Sequence, residues 1–162
     1  MTLTEMSPSH LWPAAGKVPY THEGNPEMVP TILGTKFRWI QPGGWVFDPV
    51  IIGPDTIDYT LTAGPHTGRH AVHRTYFHRV APGIETTSWY EETGTVVHII
   101  WYLESQTSHR IAALPHWAQQ NMRALAGDNA DPVYLERIRN LIETEADAPR
   151  WILANDGYFE IL

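Results

Sequence analysis

A period of two constrains this chain more than any other feature. In residues 56–62, Ile57, Tyr59 and Leu61 fall on one side of an extended backbone, and Asp58, Thr60 and Thr62 on the other. A half-buried strand requires that alternation. Comparable stretches occupy residues 36–41, 45–52, 69–80, 85–91, 95–103 and 110–114, the second broken by Pro49. Turn signals separate them, among them Pro42-Gly43-Gly44, Ala63-Gly64-Pro65 and Pro82-Gly83. Strands this short and closely spaced predict an antiparallel barrel or sandwich. Helices are expected late. One covers residues 115–126, with Pro115 at its first position and Gly127 past its end. A second is capped by Asp131 and opened by Pro132, with Leu135, Ile138, Leu141 and Ile142 on one face and Pro149 as its bound. Residues 151–162 read as a turn at Asn155-Asp156-Gly157 and a short final strand. The expected architecture is mainly β, a small closed antiparallel barrel with one or two C-terminal helices packed on it. Such a barrel has room inside for one small ligand.

Residues 1–32 break the pattern. Pro8, Pro13, Pro19, Pro26 and Pro30 preclude a helix or an inner strand there, so an extended arm is expected, docked through Trp12 and Tyr20. Residues 33–162 then form a single barrel domain. With 43% hydrophobic and 18% charged residues, the chain has the composition of a folded protein. A net charge of −7 repels phosphate backbones, which argues against a nucleic-acid partner. The absence of cysteine removes disulfides, thiolate catalysis and thiolate-ligated metals. No apolar run is long enough to span a membrane, and residues 1–13 lack the basic and apolar regions of a secretory signal. A cytoplasmic location is expected.

Seven Trp, seven Tyr and nine His suit a pocket that grips a small aromatic or polar molecule. The plainer reading is that the rings fill a β core and the histidines decorate strands. Periodicity places Arg69, Ala71 and His73 on one face, and Trp89 with Glu91 on another. An Arg and a Glu inside an apolar barrel are costly unless paired. They form either a plain ion pair or a site for a polar ligand. His66, His70, His73 and His78 crowd one region, but His70 and His73 point to opposite faces, and no metal-ligand spacing occurs. Neither a phosphate-binding glycine loop nor a GxSxG elbow is present, so no metal or cofactor is expected.

Thr56-Ile57-Asp58-Tyr59 is followed by Gly64, Gly68-Arg69, Ser88-Trp89, Glu91, Thr93-Gly94-Thr95, His109 and Pro115-His116-Trp117. Leu33-Gly34-Thr35 and Gly44-Trp45 precede this series, and Tyr158-Phe159-Glu160-Ile161 is a weaker echo. In order and spacing, residues 33–117 resemble the phenolic acid decarboxylases. The resemblance implies a lipocalin-like barrel, a homodimer, and cofactor-independent loss of CO2 from a 4-hydroxycinnamic acid through a quinone methide. The family's essential Arg and Glu fall on Arg69 and Glu91, and its pocket positions on Phe47, Thr95, Val97 and Ala112. Two tyrosines of its first barrel strand fall on Trp39 and Gln41, and a third pocket tyrosine on Phe47. These departures imply an altered aromatic or unsaturated acid as substrate. Arg69 is expected to anchor the acid. Glu91, its pKa raised by burial, is expected to serve as general acid/base. Trp39 and Gln41 orient the substrate, Tyr59 and Thr95 support the pocket, and His73 offers a proton-transfer group. A non-decarboxylating lyase, isomerase or cyclase, and a small-molecule carrier, fit the same residues.

Overall fold

The alternation closes into a ring. The computed structural model describes residues 30–144 and 150–162; most of the proline-rich arm, residues 1–29, lies outside them, as does Pro149. Eight strands follow in order: β1 (Phe37–Gln41), β2 (Trp45–Gly53), β3 (Thr56–Ala63), β4 (His70–Ala81), β5 (Ile84–Tyr90), β6 (Val96–Tyr102), β7 (Thr107–Pro115) and β8 (Arg150–Ile161). Each pairs antiparallel with the next, and β8 returns to β1 to close the barrel. The β1–β2 ladder runs to Trp39↔Phe47 and resumes only at an isolated bridge, Lys36↔Val50; the gap falls at Pro49, which has no N–H to give.

Residues at alternate positions fill the interior. Phe37, Trp39, Phe47, Ile51, Ile57, Tyr59, Leu61, Phe77, Trp89, Ile99, Trp101 and Phe159 form a continuous core. Phe37, Trp101 and Phe159 meet edge-on or tilted at 5.3–5.5 Å, a favoured arrangement for aromatic quadrupoles. At one end, buried Glu85 accepts hydrogen bonds from the backbone N–H and hydroxyl of Thr31 and faces Arg79 Nε at 3.3 Å. The helices pack at the other end.

The helix expected over residues 115–126 is interrupted. It divides into α1 (His116–Gln120) and a 3-10 turn (Met122–Leu125) at Asn121, which leaves helical geometry and caps α1 by donating both its backbone N–H and its side-chain amide to Trp117 O, at 3.0 and 2.9 Å. Helix α2 (Pro132–Thr144) begins as expected, with Asp131 Oδ1 accepting the Val133 N–H at 2.9 Å. Trp117, Ala118, Leu125, Tyr134 and Ile138 make a second core beneath these helices, and Met122 touches both cores.

The turn expected at Asn155-Asp156-Gly157 is absent; β8 runs straight through it. Asn155, Asp156 and Gly157 pair with Arg110, His109 and Ser108 of β7, so ladder pairing overrides local turn preference. Gly157 is needed there for space. A Cβ at this position would lie 2.8 Å from Ile40 O and 3.0 Å from Trp39 Nε1. Gly157→Ala therefore pries β8 from β1 and is expected to cost about 1–3 kcal/mol, read as a lower urea midpoint; an unchanged midpoint would show that the contact yields freely.

Candidate active site

Two hairpin ends and a helix converge at one end of the barrel. Residues 64–69 fold back on β3, with Gly68 N–H bonded to Leu61 O and Leu61 N–H to Arg69 O, which turns Arg69 inward beside Tyr59. Glu91 ends the inward series of β5, and Glu91 N–H bonds to Thr95 O across the turn to β6. Helix α2 adds Tyr134 from outside the sheet.

Arg69 and Glu91, brought together only by the fold, form a buried pair with Nη2 3.2 Å from Oε2. Arg69 Nε donates to the Tyr59 hydroxyl at 3.1 Å, and Nη1 donates to Glu92 Oε1 at 2.8 Å and to the Tyr134 hydroxyl. The guanidinium is 1% exposed and engaged on all three nitrogens. Glu91 in turn receives Tyr59 Oη at 2.8 Å and Trp89 Nε1 at 3.3 Å on one oxygen. Thr93 Oγ1 and Arg69 Nη2, each at 3.2 Å, meet the other.

The raised pKa expected for Glu91 does not follow from this environment. Burial pushes it up, but Arg69, with His73 and the hydrogen bonds from Tyr59 and Trp89, more than offsets burial, and the carboxyl lies below its usual range. Glu91 is ionised at neutral pH in the ligand-free protein. Burial and the Glu91 charge hold Tyr59 well above its ordinary value, so it remains a protonated donor.

Beside this pair is an interior cavity walled by Trp39, Trp45, Phe47, Tyr59, Trp89 and Trp101, with Thr95, Val97 and Ala112 also on its lining. Glu91, His66 and Arg110 are the ionisable groups that meet it apart from Tyr59. Of the residues expected at a site, Trp39, Phe47, Tyr59, Glu91, Thr95, Val97 and Ala112 line the cavity, whereas Arg69, Gln41 and His73 do not. Trp39 offers a ring face there, since its indole N–H is given to Ser108 Oγ at 2.8 Å. Gln41 is 3% exposed, and its amide has no hydrogen-bond partner among the described residues. His73 packs behind Tyr59, with Nε2 3.9 Å from Glu92 Oε2. Among the described residues no three His, Asp or Glu side chains gather as a metal site, and no helix is long and apolar enough to cross a membrane.

Three residues of this region escaped the sequence reading, Glu92, Tyr134 and Arg110, and His66 entered it only as one of the crowded histidines. Arg110 carried a signal, because a period of two places it on the same face as Ala112. Tyr134 had none, since nothing local says that α2 covers this end of the barrel.

A family profile described as phenolic acid decarboxylase matches residues 29–155. The chain belongs to the phenolic acid decarboxylase family. A probable phenolic acid decarboxylase of Vibrio cholerae serotype O1 is 33% identical over 86 residues, 52% of this chain and 49% of that protein. The alignment thus spans about half the length of that curated relative. A crystal structure of a Burkholderia vietnamiensis protein, provisionally described as a beta-lactamase, superposes with a TM-score of 0.56 over 83% of this chain and 98% of that one. At 15% identity that likeness speaks to the fold alone.

His66 gives the site a pH signature. Burial, with Arg69 and Arg110 nearby, lowers its pKa from 6.5 to about 4. Between those values the unfolded chain binds a proton that the folded one refuses, so stability falls as pH drops from 6.5 towards 4. The loss due to His66 is about 3 kcal/mol. Urea unfolding across this range should show a shallower slope in His66→Gln than in the wild type; an identical slope would mean that His66 does not resist protonation.

Proposed function

We propose that the protein is a cofactor-independent decarboxylase of an aromatic or unsaturated carboxylic acid, with Glu91 as its proton carrier. One observation carries this reading: a fixed, ionised carboxylate lines an aromatic-walled cavity, while the neighbouring Glu92 is not on the lining. Family membership supports the reaction class. Tyr59, Trp89 and Thr93 restrict the Glu91 carboxylate to one orientation, and Arg69 stabilises its ionised form.

An acid entering the cavity brings a second negative charge close to Glu91. That charge raises the proton affinity of Glu91, which takes a proton from solution. Glu91 then protonates the alkene carbon next to the substrate carboxylate as the para-hydroxyl gives its proton to water, leaving a quinone methide and an ionised Glu91. The carbon–carboxylate bond breaks, its electrons restore the ring and alkene, and the phenolate regains a proton. One proton is consumed for each CO2 released. In this reading Trp39, Gln41 and Phe47 occupy the positions of family tyrosines, and the accepted acid differs accordingly. A cytoplasmic homodimer belongs to the same proposal.

The test is CO2 release from a panel of cinnamic, benzoic and heteroaromatic acids, with and without a para-hydroxyl. Glu91→Gln keeps the shape and one acceptor but cannot carry a proton. It should lower the rate about 10²–10⁴-fold with a urea midpoint near that of the wild type. Turnover undiminished in Glu91→Gln would remove Glu91 from the chemistry. Silence of the wild type across the panel would favour a non-decarboxylating lyase or a carrier.

A further inference from the structure

Arg69 leaves the cavity without an obvious partner for an acid. Its guanidinium is covered by Tyr59, Tyr134, Glu91 and Glu92, and it does not reach the lining. The cation that does is Arg110. It lies on β7 between inward-facing Ser108 and Ala112, is 5% exposed, and meets the same cavity as Glu91.

Its surroundings favour an anion. The guanidinium carbon lies 5.5 Å from the Trp39 ring centroid and 5.6 Å from that of Trp45, so indole faces cover the planar cation. Nε donates to Asn155 Oδ1 at 3.2 Å, which fixes the fork's direction. The Nη atoms make no hydrogen bond to a described residue, and no described carboxylate lies within 4 Å of them. Buried charges elsewhere in the barrel are paired: Arg69 with Glu91 and Glu92, Glu85 with Arg79. A lone buried charge costs several kcal/mol unless something meets it.

A second observation points to the same place. His66 is 6% exposed, lines the cavity, stands edge-on to Trp45 at 4.9 Å, and has no partner for Nδ1 among the described residues. Neutral imidazole offers one N–H and one acceptor. The Arg110 fork and His66 thus present unsatisfied polar edges to a largely aromatic and aliphatic space, whose other polar lining residues are Tyr59, Glu91 and Thr95.

We propose that Arg110 is the carboxylate anchor of the cavity, binding the acid group through its two Nη atoms, with Trp39 and Trp45 stacked against it and His66 beside it. The inference rests on the decarboxylase reading for the identity of the acid. It gives the two arginines separate tasks: Arg69 positions Glu91, and Arg110 holds the ligand. A bidentate pair is matched by a guanidinium and poorly by an ammonium.

The experiment is calorimetric binding at pH 7 of 3-(4-hydroxyphenyl)propanoate, which has no alkene to protonate and is not consumed, against the neutral 3-(4-hydroxyphenyl)propan-1-ol. Arg110→Met should weaken propanoate binding about ten-fold or more and leave propanol binding unchanged. Its ligand-free thermal midpoint should equal or exceed that of the wild type, because an unpaired buried charge has gone. Arg110→Lys keeps the charge without the fork, should bind the propanoate with intermediate affinity, and serves alone if Arg110→Met does not fold. Equal propanoate affinity in the variants and the wild type overturns the proposal, as does a wild type that binds only the propanol. The two readings fail separately. Arg110-dependent binding of the propanoate without CO2 release from any acid removes the decarboxylase and keeps the anchor. CO2 release with an unchanged KM in Arg110→Met does the reverse.

Discussion

One buried cation organises this end of the molecule. Arg69 sits just before β4, yet its guanidinium joins β3 through Tyr59, the β5–β6 turn through Glu91 and Glu92, and α2 through Tyr134. A buried ion pair is weak evidence for stability, since desolvation costs about as much as attraction returns. Its structural consequence is different: Arg69 cannot leave without stranding two carboxylates in a low-dielectric interior. The alternatives to this arrangement are therefore all expensive, and the barrel end, the turn and the helix adopt one relative position.

That same cation sets the chemistry open to Glu91. A carboxyl buried among tryptophans is expected to hold its proton. Here four donors and a full positive charge reverse that tendency. Net proton affinity is a balance of two large opposed effects, so a modest electrostatic change in the cavity shifts it. A carboxylate ligand is such a change. Charge on the ligand, instead of burial alone, then couples binding to proton uptake.

Much of the barrel was legible because a period of two is a direct record of which side faces in. Tyr59, Trp89, Val97 and Ala112 are all buried in the barrel interior. Where the reading failed, the deciding contact was distant in sequence. Asn155-Asp156-Gly157 has the composition of a turn, but β7 supplies a full ladder and Ile40 leaves no room for a side chain. The helix at 115–126 breaks at Asn121, whose backbone φ and ψ leave the helical region while its side chain caps the turn before it. Arg69 and His73 both face inward and pack against Tyr59, yet face direction says nothing about depth along the barrel, and neither is on the cavity lining. Arg110 was visible by periodicity but was read as an ordinary strand residue, since only the arrangement of Trp39 and Trp45 reveals its isolation.

Tyr134 packs its ring where Gly127 lacks a side chain; a Cβ there would come within 2.3 Å of the ring, at a backbone φ of +152°. The tyrosine's hydroxyl touches Arg69 and Glu92, while its ring anchors the helix. The seat of an outer helix is thereby wired to the acid strength of a group inside the barrel. Substitutions on that helix's buried face therefore reach Glu91 through Arg69, and a glycine outside the cavity helps set the proton affinity of a group inside it.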